Sequence, residues 1–144
     1  MSNLVLRPAN QSDVKLLFDL RNHPEVRRRS NNSDEIDFKT HCQWFDKVML
    51  DRSKQILIAE QDVQFVGMVR FEKIDGAHLM SWAVSPRMHG QSVGKNMLKI
   101  AVESMGNHRL VAEIKEDNLA SIRIAEFVGM ARVGKTKDTL LYQK

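Results

Sequence analysis

Three strand-like runs crowd the stretch from 55 to 85, and the turns between them leave no room for a crossover helix. QILIAE (55–60), QFVGMVRFEKI (64–74) and HLMSWAVS (78–85) are rich in β-branched and aromatic residues and are joined only by the short turns EQD and DGA. Parallel neighbours need a crossover of a dozen or more residues, so consecutive strands this close must run antiparallel. A meander is therefore expected at the centre of the fold. LVLRPA (4–9) reads as a short first strand, and Ser12 or Asp13 can cap a helix that carries Val14, Leu17 and Phe18 on one face and ends near Pro24. Asp37 can cap a second helix, in which His41, Trp44, Phe45 and Val48 recur at three- and four-residue steps. After the meander come a helix from about Ser92 to Met105, a strand RLVAEIKE (109–116), a helix starting at Asn118 and ending at Gly129, and a final hairpin ARVGKTKDTLLYQ. The order βααβββαβαββ, without linker or internal repeat, predicts one α/β (α+β) domain over residues 1–144.

Composition bounds the function. A chain of 144 residues lies in the single-domain range, and its 42% hydrophobic and 28% charged residues are those of a folded soluble protein. No apolar stretch approaches the roughly 20 residues that span a bilayer, and MSNLVLRPANQSD turns polar after a few residues. The expectation is a cytoplasmic protein that makes no membrane contact. The one cysteine, Cys42, has no partner for an intramolecular disulfide and reads as structural. A net charge of +4 favours anionic partners, yet eighteen acidic residues are scattered through the chain. The densest basic run, Arg27-Arg28-Arg29, reads as a solvated loop between Pro24 and SNNSDE. Basic residues interleaved with exposed aromatics are missing, so no nucleic-acid partner is expected.

SPRMHGQSVGKNMLKIAV (85–102) places Gly90 and Gly94 among polar residues before a segment whose apolar positions Val93, Met97, Ile100, Ala101 and Val102 recur near helical spacing. A helix N-terminus leaves backbone N–H groups without partners and carries partial positive charge. With glycine to turn the backbone and Arg87 and Lys95 alongside, this is the pattern of a phosphate or pyrophosphate cradle. An ordinary strand-to-helix turn produces the same spacing, so on the residues alone both readings stand.

The order of elements, with this loop after the fourth strand, resembles the GNAT superfamily of acetyl-CoA-dependent N-acetyltransferases over essentially the whole chain. Arg87-Met88-His89-Gly90-Gln91-Ser92 is similar to the family's pyrophosphate motif (Q/R)-x-x-G-x-(G/A), with Ser92 where glycine or alanine is usual, and Gly94 matches a further common glycine. EDNLASIRIAEFVGM (116–130) is similar to the family's strand-to-helix segment. The resemblance implies a mixed, mostly antiparallel central sheet whose fourth and fifth strands splay apart, with acetyl-CoA as co-substrate and no metal. The pantetheine arm would lie in the splay against the backbone around Trp82, Ala83 and Val84. The pyrophosphate would sit on the loop of Arg87, His89, Gly90, Gln91, Ser92, Val93, Gly94 and Lys95. Asn118 would assist the pantetheine, while its residue type alone equally reads as a helix cap. The tyrosine that many members use to protonate the departing thiolate aligns with Ala125, and Tyr142 on the last strand does not match that position. Candidates for the base are Glu113 and His78, the latter also readable as a surface histidine, with Ser81 as a hydrogen-bonding group. Relatives often pair, so the resemblance leaves room for a homodimer.

RNHP (21–24) and IDFKTH (36–41) carry a narrower resemblance, to members that acetylate nucleotide-linked amino sugars, above all the pseudaminic-acid pathway type that acts on the 4-amino group of a UDP-linked dideoxy sugar. It implies a small-molecule amine acceptor met by His23, Arg28 and Trp44. Core packing for Trp44 and a local turn contact for His23 remain open alternatives. Rival readings are acetylation of a protein N-terminus such as that of a ribosomal protein, a non-catalytic acyl-CoA-binding regulator, and a small basic nucleic-acid-binding module.

Overall fold

A computed structural model describes residues 3–30, 32–90 and 92–144. The strands are β1 (Leu4–Pro8), β2 (Lys54–Gln61), β3 (Gln64–Ile74), β4 (Ala77–Val84), β5 (Leu110–Lys115), β6 (Ala131–Thr136) and β7 (Thr139–Gln143). They form one sheet in the order β1-β2-β3-β4-β5-β7-β6, antiparallel at every junction except β4–β5, which is parallel. The expected meander is β2-β3-β4. The mixed, mostly antiparallel sheet and the α/β class are as the sequence implied.

Helices cover both faces. α1 (Val14–Asn22), α2 (Pro24–Arg29) and α3 (Phe38–Leu50) precede the meander, and α4 (Val93–Met105) and α5 (Leu119–Phe127) flank β5. Met97, Leu98 and Ala101 of α4 and Ala125 of α5 pack on Val69, Met80 and Ile114 to form the larger core. Leu17, Phe45 and Val48 pack on Ile56 and Ile58 on the opposite face. Each helix thus buries one apolar stripe against the sheet. The caps are partly as predicted: Asp37 accepts from Thr40 N–H ahead of α3, and Asn118 accepts from Ser121 N–H ahead of α5.

Two local expectations are corrected. Arg27-Arg28-Arg29 is the last turn of α2 and not a loop, so three helices, not two, precede the meander. His23 caps α2 through Nδ1, which accepts from Glu25 N–H at 3.2 Å, and Pro24 occupies the first helical position, where its missing N–H costs nothing. Neither Ser12 nor Asp13 caps α1. Asn10 caps a 3-10 turn over Gln11–Asp13, and the buried Asp13 carboxylate takes a two-point bond from Arg7 at 2.8 Å.

Gly67 of β3 faces β4 at the point where the sheet must carry the site. A Cβ there would stand 2.6 Å from the Ala83 carbonyl oxygen, a backbone atom that has no freedom to yield. Gly67→Ala is expected to destabilise the fold by about 1–3 kcal/mol, the usual range for overpacking. A melting temperature equal to wild type would contradict that packing.

Candidate active site

β4 and β5 pair only where they begin. The register joins His78 with Leu110 and Leu79 with Val111, and His78 N–H donates to Arg109 O at 2.9 Å. β4 then follows β3 as far as Val84, β5 follows β7 as far as Lys115, and a gap opens between them. Backbone groups of successive strand residues point to alternate sides. Ser85 N–H donates to Val66 O at 2.8 Å on the β3 side, which places the backbone of Ser81 and Ala83 toward β3 and that of Trp82 and Val84 toward the gap. Trp82 and Val84, rather than the whole triplet, therefore offer backbone to a guest. The Val84 carbonyl already accepts from His89 Nε2 at 3.0 Å.

Above the gap, Pro86–Met88 form a 3-10 turn, Gly90 adopts φ +80°, and Ser92 stands at φ +62° as the residue before α4. Gln91 lies outside the described residues. The first backbone bond of α4 runs from Asn96 N–H to Ser92 O at 3.1 Å, so the N–H groups of Val93, Gly94 and Lys95 stand ahead of the ladder. Ser92 makes no side-chain cap bond to them. The two glycines do different work. A Cβ on Gly90 would meet nothing within 4 Å, so glycine serves the left-handed backbone; a Cβ on Gly94 would collide with Ile124 at 2.5 Å, so glycine there lets α4 approach α5.

The gap is the floor of a cleft of about 720 Å³, lined on the loop side by His89, Gly90, Ser92, Val93, Gly94 and Lys95, and at its base by Ser81, Trp82, Ala83, Val84, Glu113 and Asn118. Ser81 lies opposite Arg70 on β3, and Glu113 alternates with the core residues Ala112 and Ile114, so both side chains emerge on the face covered by α1–α3. Trp44 lines that half, with the Arg21 and Arg70 guanidinium carbons 5.0 and 5.8 Å from its ring centre. It also packs on the α1–α3 core, so the two alternatives for Trp44 coexist.

Other candidates stand elsewhere. His78 lies at the paired end of β4 with its ring 5.1 Å from that of His108, where burial and the His108 charge push its pKa down. Arg28 is exposed and paired with Glu25 at 2.6 Å, and His23 is occupied as the α2 cap. Arg87 donates to Phe65 O at 2.8 Å and to Gln64 Oε1 at 3.4 Å, on β3. None of these four lines the cleft. Ala125 is fully buried, and Tyr142, buried under α5, donates to Glu126 at 3.3 Å away from the cleft.

Among the described residues, three buried side-chain polar atoms lack a hydrogen-bond partner: Arg21 Nη1, His41 Nδ1 and Trp82 Nε1. All three residues line this cleft. An unsatisfied buried polar group costs about 1–3 kcal/mol, so each marks a point in the cleft where a polar guest would gain a bond. Burial pushes the His41 pKa down, and with Nε2 bonded to Val14 O at 2.9 Å, Nδ1 is left as a bare acceptor. Sequence reading places His41 on a helix face and assigns no role to Arg21 or Arg70; the signals available were the helical spacing from His41 to Trp44 and the RNHP and IDFKTH runs, which contain Arg21 and His41.

A strand pair that parts over a helix N-terminus is matched by family-level similarity. The model of the acetyltransferase (GNAT) domain matches residues 3–131. The chain belongs to the GNAT acetyltransferase family. It is accordingly an acetyl-CoA-dependent N-acetyltransferase, and the parted strands are those that the resemblance implied. Acetyltransferase PseH of Campylobacter jejuni is 26% identical over 118 residues, covering 80% of this chain and 74% of that protein. A domain from Methanocaldococcus jannaschii superimposes with a TM-score of 0.87 at 17% identity, covering 100% of this chain and 99% of the other. Spermidine N-acetyltransferase from Vibrio cholerae, in complex with CoA and spermine, superimposes at 0.83 with 13% identity, covering 97% and 92%.

For a GNAT enzyme the Gly90 backbone becomes a direct test of the loop. Gly90→Val introduces a branched side chain at a left-handed φ, which costs about 1–2 kcal/mol and displaces the turn. Acetyl-CoA affinity, measured by calorimetry on the folded variant, is expected to fall at least several-fold. Wild-type affinity would remove the loop from the cofactor site.

Proposed function

We propose that this GNAT enzyme transfers acetyl from acetyl-CoA to the amino group of a nucleotide-linked amino sugar, the 4-amino group of a UDP-4-amino-4,6-dideoxy sugar being the best candidate. The observation that carries the reading is the charge around Trp44. Arg21 and Arg70 both lie against its ring, neither is ion-paired among the described residues, and burial together with the Arg70 charge pushes the Arg21 pKa down. Two half-buried guanidiniums without a counterion favour an anionic guest such as a diphosphate, and they repel a polyamine. The indole and the neighbouring His41 ring, 5.5 Å apart, offer flat surfaces for a base or sugar. Similarity to PseH points to the same acceptor class.

The chemistry then divides between the two faces of the gap. The donor arm lies against the Trp82 and Val84 backbone with its diphosphate at the α4 N-terminus, and Asn118 lies beside it. The acceptor enters on the α1–α3 side. Glu113, exposed on that face, takes the proton that the attacking amine loses, directly or through water, and Ser81 helps orient it. The nitrogen adds to the thioester carbonyl, the C–S bond breaks, and the thiolate takes up a proton. With Ala125 in place of the usual tyrosine, Ser121 is the hydroxyl of α5 that lines the cleft. Most of the rate comes from placing amine and thioester in attack geometry, for which intramolecular models allow about 7–11 kcal/mol.

Two measurements check this reading. Thiol release should be seen with UDP- or dTDP-linked amino sugars and be far weaker with an N-terminal peptide or spermidine, and Arg21→Gln should raise the sugar-nucleotide KM by about tenfold or more. Turnover with the peptide alone would transfer the enzyme to protein substrates. Glu113→Gln should lower kcat by about a hundredfold or more with acetyl-CoA affinity unchanged. A wild-type rate in that variant would take Glu113 out of the reaction.

A further inference from the structure

The three consecutive arginines of α2 have three different fates. Arg27 Nε donates to Asn22 O at 3.1 Å, and Arg28 pairs with Glu25 at the surface. Arg29 turns into the cleft, where its Nη1 donates to His89 Nδ1 at 3.2 Å. His89 in turn donates from Nε2 to Val84 O, so both ring nitrogens are assigned and the ring is neutral in this arrangement. Across the gap, Asn118 Nδ2 donates to the Arg29 carbonyl at 3.4 Å. Arg29 therefore bridges the mouth of the parted strands, with its backbone on the β5–α5 side and its guanidinium on the β4–α4 loop. Among the described residues it makes no ion pair; Glu25, on the same helix, feels its charge but bonds to Arg28 instead.

We propose that Arg29 is a binding residue for the diphosphate of acetyl-CoA, its guanidinium completing from α2 the anion site that the loop before α4 begins. The inference rests on the placement of the acyl donor given above, and it is independent of which amine is acetylated. Backbone N–H groups at a helix start supply partial charges, whereas a diphosphate carries full ones, and the motif's own Arg87 is bonded to the β3 backbone and does not line the cleft. A guanidinium bonded to His89, the residue before Gly90, adds to Lys95 a second cation, in the planar, two-point form that phosphate oxygens accept.

The test is a titration of wild type, Arg29→Met and Arg29→Lys with acetyl-CoA and with acetyl-pantetheine, which lacks the diphosphate, followed by NMR so that millimolar affinities are measured. Arg29→Met should weaken acetyl-CoA about tenfold or more and leave acetyl-pantetheine unchanged, and Arg29→Lys should recover part of the loss. An equal loss for both ligands would make Arg29 a strut acting through His89 and Asn118 and overturn the proposal, as would unchanged acetyl-CoA binding. UDP is titrated in parallel. A loss confined to UDP would assign the guanidinium to the acceptor's diphosphate and equally overturn it. Should no amino sugar be acetylated while the acetyl-CoA result holds, only the acceptor assignment fails.

Discussion

Everything at the site follows from two strands that pair for two residues and then part. β4 and β5 are parallel, and beyond Leu79 and Val111 no further register joins them. Backbone groups left open in the middle of a sheet are costly unless something bonds them. Each strand remains fixed on its outer side, β4 by β3 and β5 by β7, so the gap is rigid rather than frayed. An extended chain with its own amides, such as a pantetheine arm, fits that vacancy in the way a missing strand would.

The helices convert the gap into a two-ended site. α4 begins directly above it, with its first N–H groups ahead of the ladder and Gly94 letting it lie close to α5. On the other face α1 and α3 bring Arg21, His41 and Trp44 over the outward side of β3 and β4, where Arg70 and Ser81 emerge. One end presents backbone donors and the other presents guanidiniums beside flat rings. In the proposed reaction the nitrogen and thioester meet between them, close to Glu113. α2 links the two ends, because its last residue touches both the loop before α4 and the cap of α5.

What the sequence made legible is the part governed by local rules. Turns too short for a crossover dictated the meander, Asp37 and Asn118 announced helix starts through their side chains, and Gly90 marked a left-handed turn. Long-range geometry was hidden. Arg29 lies 60 residues from His89, and no spacing connects them. The α2 helix was missed because its cap is a histidine, a residue outside the usual capping set, and because three like charges read as solvated chain. Arg87 was a fair motif match that donates to Phe65 and Gln64 on β3, and only the fold shows that. His78 looked eligible by its strand, but it sits at the end where β4 and β5 are still joined.

The most direct test of the parted strands as the donor site is an amide spectrum of isotopically labelled protein recorded during titration with acetyl-CoA alone. The largest shifts should fall on the backbone amides of Trp82, Val84 and Val93–Lys95 and on the Trp82 indole N–H, whose buried donor gains a partner. Shifts confined to Arg21, Trp44 and their neighbours, with Trp82 and the start of α4 unmoved, would contradict it.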